Sequence, residues 1–154
     1  MLAVMCYPSH VRVQLQNGSI KGVGELEVGD WVKIGPGAYS PVASFSIRRP
    51  NHITEMVTLH MENGSQVTMT ATHYLYVNSH LKHASEAVVG DHVLTAAGTW
   101  TRIVKVQKET VRGVYHPHTA FGEVVVGGIV SSCRSCQDRA VRPVQSTLLC
   151  TLAL

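Results

Sequence analysis

Apolar and polar residues alternate with period two over several short stretches of the chain, in Val11-Arg-Val13-Gln-Leu15, in Met56-Val-Thr-Leu-His-Met61 and in Arg102-Ile-Val-Lys-Val106. A strand turns successive side chains to opposite faces, so this pattern predicts half-buried strands. Each stretch is bordered by a turn signal, at Asn17-Gly18, Asn63-Gly64 or Ala97-Gly98. Valine, threonine and isoleucine fill the strands, and glycine and proline punctuate them at short intervals. Helix is limited to a turn over residues 84–88 and a frayed segment near the C-terminus. The prediction is an all-β protein.

A weak internal repeat extends this picture. Leu15-Gln-Asn-Gly-Ser19 recurs as Met61-Glu-Asn-Gly-Ser65, and Glu25-Leu-Glu-Val-Gly-Asp-Trp-Val32 recurs as Glu86-Ala-Val-Val-Gly-Asp-His-Val93. In each case a strand follows the Val-Gly-Asp step, at Pro41-Val42 and at Arg102-Ile103. Hairpins favour Asn-Gly on their own account, but an ordered series implies two similar halves.

Composition narrows the class. With 154 residues, 45% of them hydrophobic and 15% charged, the chain has enough apolar surface for one core and is unlike a disordered segment. The net charge of +3 is dispersed, with no basic run longer than Arg48-Arg49, so nucleic acid is not an expected partner. No apolar run approaches the roughly 20 residues of a spanning helix, and the opening Met1-Leu-Ala-Val-Met5 is too short for a signal-peptide core. The four cysteines, at 6, 133, 136 and 150, are too unevenly placed for a disulfide-stapled framework.

Candidate chemistry lies in three places. Cys6 precedes the first core strand. Thr70-Ala-Thr-His73 follows another, where strict alternation puts Thr70 and His73 on opposite faces, so that a bulge or turn is needed to bring them together. Cys133-Arg-Ser-Cys136 has the spacing of half a zinc knuckle or of a redox pair, or is structural. His116 and His118 flank Pro117 in an expected loop and could bind a metal with these cysteines, but no second ligand pair stands at the required spacing. No metal and no cofactor is therefore expected.

Taken in order, Cys6-Tyr-Pro, Leu26-Glu-Val-Gly-Asp30, Thr70-Ala-Thr-His73, Val89-Gly-Asp-His-Val93, Gly113-Val-Tyr-His-Pro-His-Thr119 and Val124-Val-Val-Gly-Gly-Ile-Val-Ser-Ser-Cys133 form a series. It resembles the hedgehog-type Hint (hedgehog/intein) autoprocessing domain over nearly all of residues 6 to 133. The resemblance implies a disc-shaped all-β fold of two pseudo-symmetric β subdomains. It also implies roles: Cys6 as nucleophile at the scissile Met5–Cys6 bond, Thr70 and His73 as the residues that contact and polarise that peptide, and Cys133 as a cysteine near the site, with Cys136 a further accessory candidate.

The chemistry so implied is an N-to-S acyl shift. Attack by the Cys6 sulfur on the Met5 carbonyl closes a five-membered ring, so the chain itself supplies orientation. The amide nitrogen leaves only if protonated, a task for a histidine whose unperturbed pKa of about 6.5 keeps both protonation states accessible. A second nucleophile then resolves the thioester. Hedgehog domains carry an acidic residue on the strand after the first Val-Gly-Asp, where it activates a sterol hydroxyl, yet Ser44-Phe-Ser-Ile-Arg-Arg49 has none. Water or another small nucleophile is therefore expected ahead of a sterol. Inteins end in a His-Asn pair, absent from the tail, so cleavage is expected without splicing.

The expected organisation is an upstream stub at 1–5, an autoprocessing domain at 6–136, and a tail at 137–154 packed on it. The substrate is the upstream polypeptide in cis, the domain a monomer, and the compartment secretory or extracellular if the precursor is hedgehog-like. Glycine usually precedes the nucleophile in hedgehog domains, where this chain has Met5. That departure, with the missing carboxylate, keeps open an alternative, a degenerate Hint fold serving as a non-cleaving binding or structural module.

Overall fold

The computed structural model describes residues 5–133. The fold is all-β, and the described residues form eleven strands: β1 (Arg12–Gln14), β2 (Ile20–Gly22), β3 (Trp31–Gly35), β4 (Ala38–Met61), β5 (Gln66–Met69), β6 (Tyr74–Val77), β7 (His80–His83), β8 (His92–Leu94), β9 (Trp100–Thr119), β10 (Glu123–Val126) and β11 (Ile129–Ser132). Nine strands form one sheet in the order β10-β11-β6-β8-β9-β4-β3, with β5 beside β4 and β7 beside β6, while β1 and β2 pair separately. The expected C-terminal boundary at 136 and the packing of residues 137–154 fall outside the described residues.

The two halves are related through their turns. β2 and β7 each run into a single 3-10 turn, Val23–Glu25 and Ala84–Glu86. A Val-Gly-Asp step follows each, and its hydrogen bonds are the same in both. Gly29 N–H donates to Val42 O and Gly90 N–H to Ile103 O, each at 2.9 Å, while Val42 N–H and Ile103 N–H return to Asp30 O and Asp91 O at 2.8 Å. Asp30 and Asp91 each accept the N–H three residues earlier on a carboxylate oxygen, at 3.0 Å. Gly29 and Gly90 both sit at φ +97°, a left-handed conformation that a side chain would strain. The repeat in Val-Gly-Asp is thus a repeat in structure. The Asn-Gly-Ser turns also share one set of hydrogen bonds, but not equivalent places in the two halves: the first joins β1 to β2 and the second β4 to β5, whereas the counterpart of the first is the Asn78–Ser79 turn between β6 and β7.

The short strands expected around residues 56–61 and 102–106 are parts of two long ones. β4 and β9 run antiparallel from Val42↔Thr119 to Met61↔Ile103, with register shifts at four places. Every inserted residue reverses the inward–outward parity, so no continuous alternation marks these strands in the sequence. Each long strand belongs to both halves, and the core they cover is continuous. Val23, Leu26 and Val32 from the first half and Ala84, Ala87 and Val93 from the second pack in one cluster with Leu59, Leu75 and Ile103. Full burial of a side chain such as Leu59 contributes about 1.5–3 kcal/mol.

Candidate active site

The N-terminal segment joins the sheet beside β9. Tyr7 N–H donates to Tyr115 O at 2.8 Å and Tyr115 N–H to Tyr7 O at 2.9 Å. Backbone groups of successive residues point to opposite edges of an extended segment, so those of Cys6 are turned away from β9, onto Thr70. Thr70 N–H donates to Cys6 O at 2.9 Å, and Cys6 N–H, the nitrogen of the Met5–Cys6 peptide, donates to Thr70 Oγ1 at 2.9 Å. The Cys6 side chain is buried in a cluster with Met56 and Val114, against which Ile47 packs. Burial pushes its thiol up to about 12, against a smaller opposing pull from Arg49. At neutral pH Cys6 is therefore a thiol.

Thr70 and His73 come together through a turn. β5 ends at Met69, and His73 N–H donates back to Thr70 O at 3.0 Å. The turn is pinned from outside by Ala84 N–H on His73 O at 2.8 Å and Ser85 N–H on Ala71 O at 2.9 Å. The His73 imidazole is fully buried, stacked at a tilt on the Tyr7 ring at 4.2 Å and edge-on to the His116 ring at 5.7 Å. Among the described residues neither ring nitrogen meets a partner at hydrogen-bonding geometry. Burial holds its pKa well below the usual histidine range, helped by the nearby His116 and opposed by the backbone of Ser132. The expectation that both protonation states are accessible near neutrality fails for this reason, and His73 is neutral.

Cys133 is buried, and its N–H donates to Gly122 O at 2.9 Å. Its sulfur lies 3.9 Å from Thr119 Oγ1. Tyr7 links it to the site, since the tyrosine hydroxyl shares a 2.6 Å hydrogen bond with Ser131 Oγ on the neighbouring strand. Cys136 lies outside the described residues.

His116 and His118 stand on β9, opposite β4, and not in a loop. His116 Nε2 reaches the backbone oxygen of Cys133 at 3.1 Å, not its sulfur, and His116 Nδ1 is taken by Ser46 Oγ at 3.0 Å. With both nitrogens engaged, His116 has no lone pair for a metal in this arrangement. His118 Nε2 lies 2.8 Å from the same Ser46 hydroxyl. In the sequence Ser46 counted only as the lack of a carboxylate on that strand, because its meeting with the His-Pro-His histidines depends on a bulge.

The gathered groups are a buried thiol, a hydroxyl on its amide nitrogen, and a buried neutral imidazole. Thr70 Oγ1 is the acceptor on the Met5–Cys6 nitrogen, and a neutral imidazole such as that of His73 has one nitrogen that can give a proton and one that can take it.

A family model for the Hint module matches residues 2–146. Warthog protein 6 of Caenorhabditis elegans is 30% identical over 158 residues, covering 94% of this chain and 26% of that protein. Indian hedgehog B protein of Danio rerio is 28% identical over 157 residues, covering 87% of this chain and 38% of that protein. The chain thus spans between about a quarter and two fifths of these relatives' lengths. A DnaB intein from Synechocystis sp. superposes with a TM-score of 0.76 at 14% identity, covering 86% of this chain and 100% of that one. A bacterial intein-like domain from Clostridium thermocellum superposes with a TM-score of 0.69 at 17% identity, covering 84% and 98%. At such identities the likeness is one of fold.

Proposed function

The chain belongs to the Hint family, as a hedgehog-type member, and on that premise we propose that it cleaves itself from a linked upstream polypeptide at the Met5–Cys6 bond. Members of the family splice or cleave themselves, acting in cis. The observation that carries the reading here is the 2.9 Å hydrogen bond from Cys6 N–H to Thr70 Oγ1, which puts a hydroxyl on the nitrogen that must leave.

In the first step the Cys6 sulfur bonds to the Met5 carbonyl carbon and the carbon–nitrogen bond breaks. One proton moves from sulfur to nitrogen, so the step is balanced within the chain. Ionising a thiol of pKa about 12 in advance, at pH 7, would cost about 7 kcal/mol. Attack therefore runs together with a proton relay through His73, whose neutral ring takes the thiol proton at one nitrogen as it gives one from the other, so that no imidazolium has to stand in the buried site. Thr70 Oγ1 holds the nitrogen and receives its N–H as the amine forms. Orientation within one residue can supply on the order of 7–11 kcal/mol of the barrier, comparable with the penalty that burial places on the thiol.

The product is a thioester between Met5 and Cys6, which water resolves to a free carboxyl group. A protein fused ahead of Met5 is expected to be released by dithiothreitol or hydroxylamine, and Cys6→Ala to abolish the release. Release at an equal rate from the alanine variant would sink the acyl shift. Absence of release from the parent chain would leave the non-cleaving module. The mass of the fragment released with cholesterol present decides the nucleophile, a free carboxyl terminus marking water and an esterified sterol marking the alternative.

A further inference from the structure

One polar row among the described residues takes no part in the acyl shift. His118 Nε2 stands 2.8 Å from Ser46 Oγ, Ser46 Oγ 3.0 Å from His116 Nδ1, and His116 Nε2 3.1 Å from Cys133 O. The carbonyl at its end sets the direction of the row. A carbonyl only accepts, so His116 Nε2 carries the hydrogen, and Nδ1 of the neutral ring is left as an acceptor. The Ser46 hydroxyl accordingly donates to Nδ1, and its oxygen accepts from His118. Burial, together with nearby His118, lowers His116 to about 4 despite the opposing Cys133 carbonyl, which keeps the ring neutral near pH 7. This is the arrangement of a hydroxyl, a base and a group that orients the base.

Backbone irregularity aims the row. The ladder passes from Phe45↔Pro117 to Ile47↔His116, so Ser46 is the extra residue of a β-bulge. Pro117 has no N–H to give the ladder, which eases the interruption, and the bulge re-aims the Ser46 side chain onto the histidines. Ser46 is exposed while His116 is buried, so the row runs from solvent inward. His116 is the member of the row that neighbours Cys6, the residue that follows the scissile bond. The Tyr7–Tyr115 bridge, continued by one residue in antiparallel register, places Cys6 alongside His116, and Ile47, opposite His116 on β4, packs against the Cys6 cluster.

We propose that Ser46 and His116 form the base that activates the water resolving the Met5–Cys6 thioester, with the Cys133 carbonyl orienting His116; this inference rests on the acyl shift proposed above. The water oxygen bonds to the Met5 carbonyl carbon as its proton passes to Ser46 Oγ and the Ser46 hydroxyl proton passes to His116 Nδ1. The carbon–sulfur bond then breaks, and the Cys6 sulfur regains a proton delivered from His116 through solvent. Thioester and water become carboxylic acid and thiol, with no other reactant.

The experiment uses the full chain fused behind a reporter protein and measures two rates at neutral pH. Release in excess dithiothreitol reports thioester formation; release without thiol, giving a fragment with a free carboxyl terminus, reports hydrolysis. Ser46→Ala should lower the second rate by tenfold or more and the first by less than twofold, while Ser46→Thr, which keeps the hydroxyl, should restore hydrolysis to within a few-fold. His118→Ala should give a smaller loss in hydrolysis alone. An unchanged ratio of the two rates in Ser46→Ala, whether both hold or both fall, overturns the proposal, as does a parent thioester that is stable in water. A parent chain that thiol does not release overturns the acyl shift itself, and this inference with it.

Discussion

Cys6 and Thr70, separated by 64 positions in the chain, are tied to each other at both ends: Cys6 N–H donates to Thr70 Oγ1 and Thr70 N–H donates to Cys6 O, each at 2.9 Å. The backbone bond fixes where Thr70 stands, and the side-chain bond makes its hydroxyl the sole protein acceptor given to the Cys6 nitrogen among the described residues. The pair therefore separates placement from chemistry.

Thr70→Ala keeps the backbone bond and loses the hydroxyl. It leaves a buried N–H without a partner, which costs about 1–3 kcal/mol of stability, read from urea unfolding. Thiol-induced release should slow about tenfold. Thr70→Ser should recover both to within a few-fold, and a serine variant as slow as the alanine one would remove the hydroxyl from the mechanism.

A buried imidazole whose nitrogens, among the described residues, meet only the Ser132 backbone, and that outside good hydrogen-bond geometry, is costly to the fold, so His73 is expected to trade stability for activity. His73→Leu, of similar size and without polar atoms, should slow thioester formation by about 100-fold or more, the scale of a lost acid–base group. The folded state at pH 7 should be as stable as the parent's or more so. A leucine variant that unfolds would make His73 a structural residue.

Of this site, Cys6, Thr70 and His73 were legible because they sit in short motifs whose order carries information without geometry. Their mutual placement was not. Alternation put Thr70 and His73 on opposite faces, and only the turn closed by His73 N–H on Thr70 O brings them together. The contact between Ser46 and His116 was hidden for a related reason: a bulge resets the parity of β4 at the point where the two meet. The protonation states of Cys6 and His73 follow from burial by residues remote in sequence, and no local pattern encodes that. The two halves, by contrast, were visible through Val-Gly-Asp, because its glycine and aspartate are demanded by the turn itself.

That demand is testable at both copies. Gly29 and Gly90 share φ +97°, and open space surrounds the position where a Cβ would stand at each. Gly29→Ala and Gly90→Ala therefore meet backbone strain without a clash, and each should cost about 1–2 kcal/mol in chemical denaturation. The two losses should agree within about 0.5 kcal/mol and add in the double variant, as distant sites do. Unequal losses would mean that the two turns are not equivalent in energy.

Acid should unfold this domain above the range where carboxylates titrate. His73 and His116 are both buried and neutral in the folded state, with pKa values held below the unfolded value of about 6.5, His116 at about 4. Above pH 6.5 neither state binds these protons, and the two histidines add no pH dependence. As pH falls below 6.5 the unfolded chain takes up protons that the folded chain refuses, so stability is lost at about 1.4 kcal/mol per pH unit for each histidine. For His116 the loss reaches about 3 kcal/mol before its own folded-state protonation halts it near pH 4, and His73, shifted in the same direction, adds a loss of the same sign. Cys6 and Tyr7, both raised, stay neutral throughout the window. Asp30, whose pKa is lowered, adds its own loss only below about 4. Against a total of about 5–15 kcal/mol for a domain, two such losses are decisive. Denaturation midpoints at pH 7, 6 and 5 should fall steadily, and His116→Gln should roughly halve the slope. A midpoint that is flat from pH 7 to 5 would mean that these rings are hydrated in solution, and with them the interior in which the thioester is proposed to form.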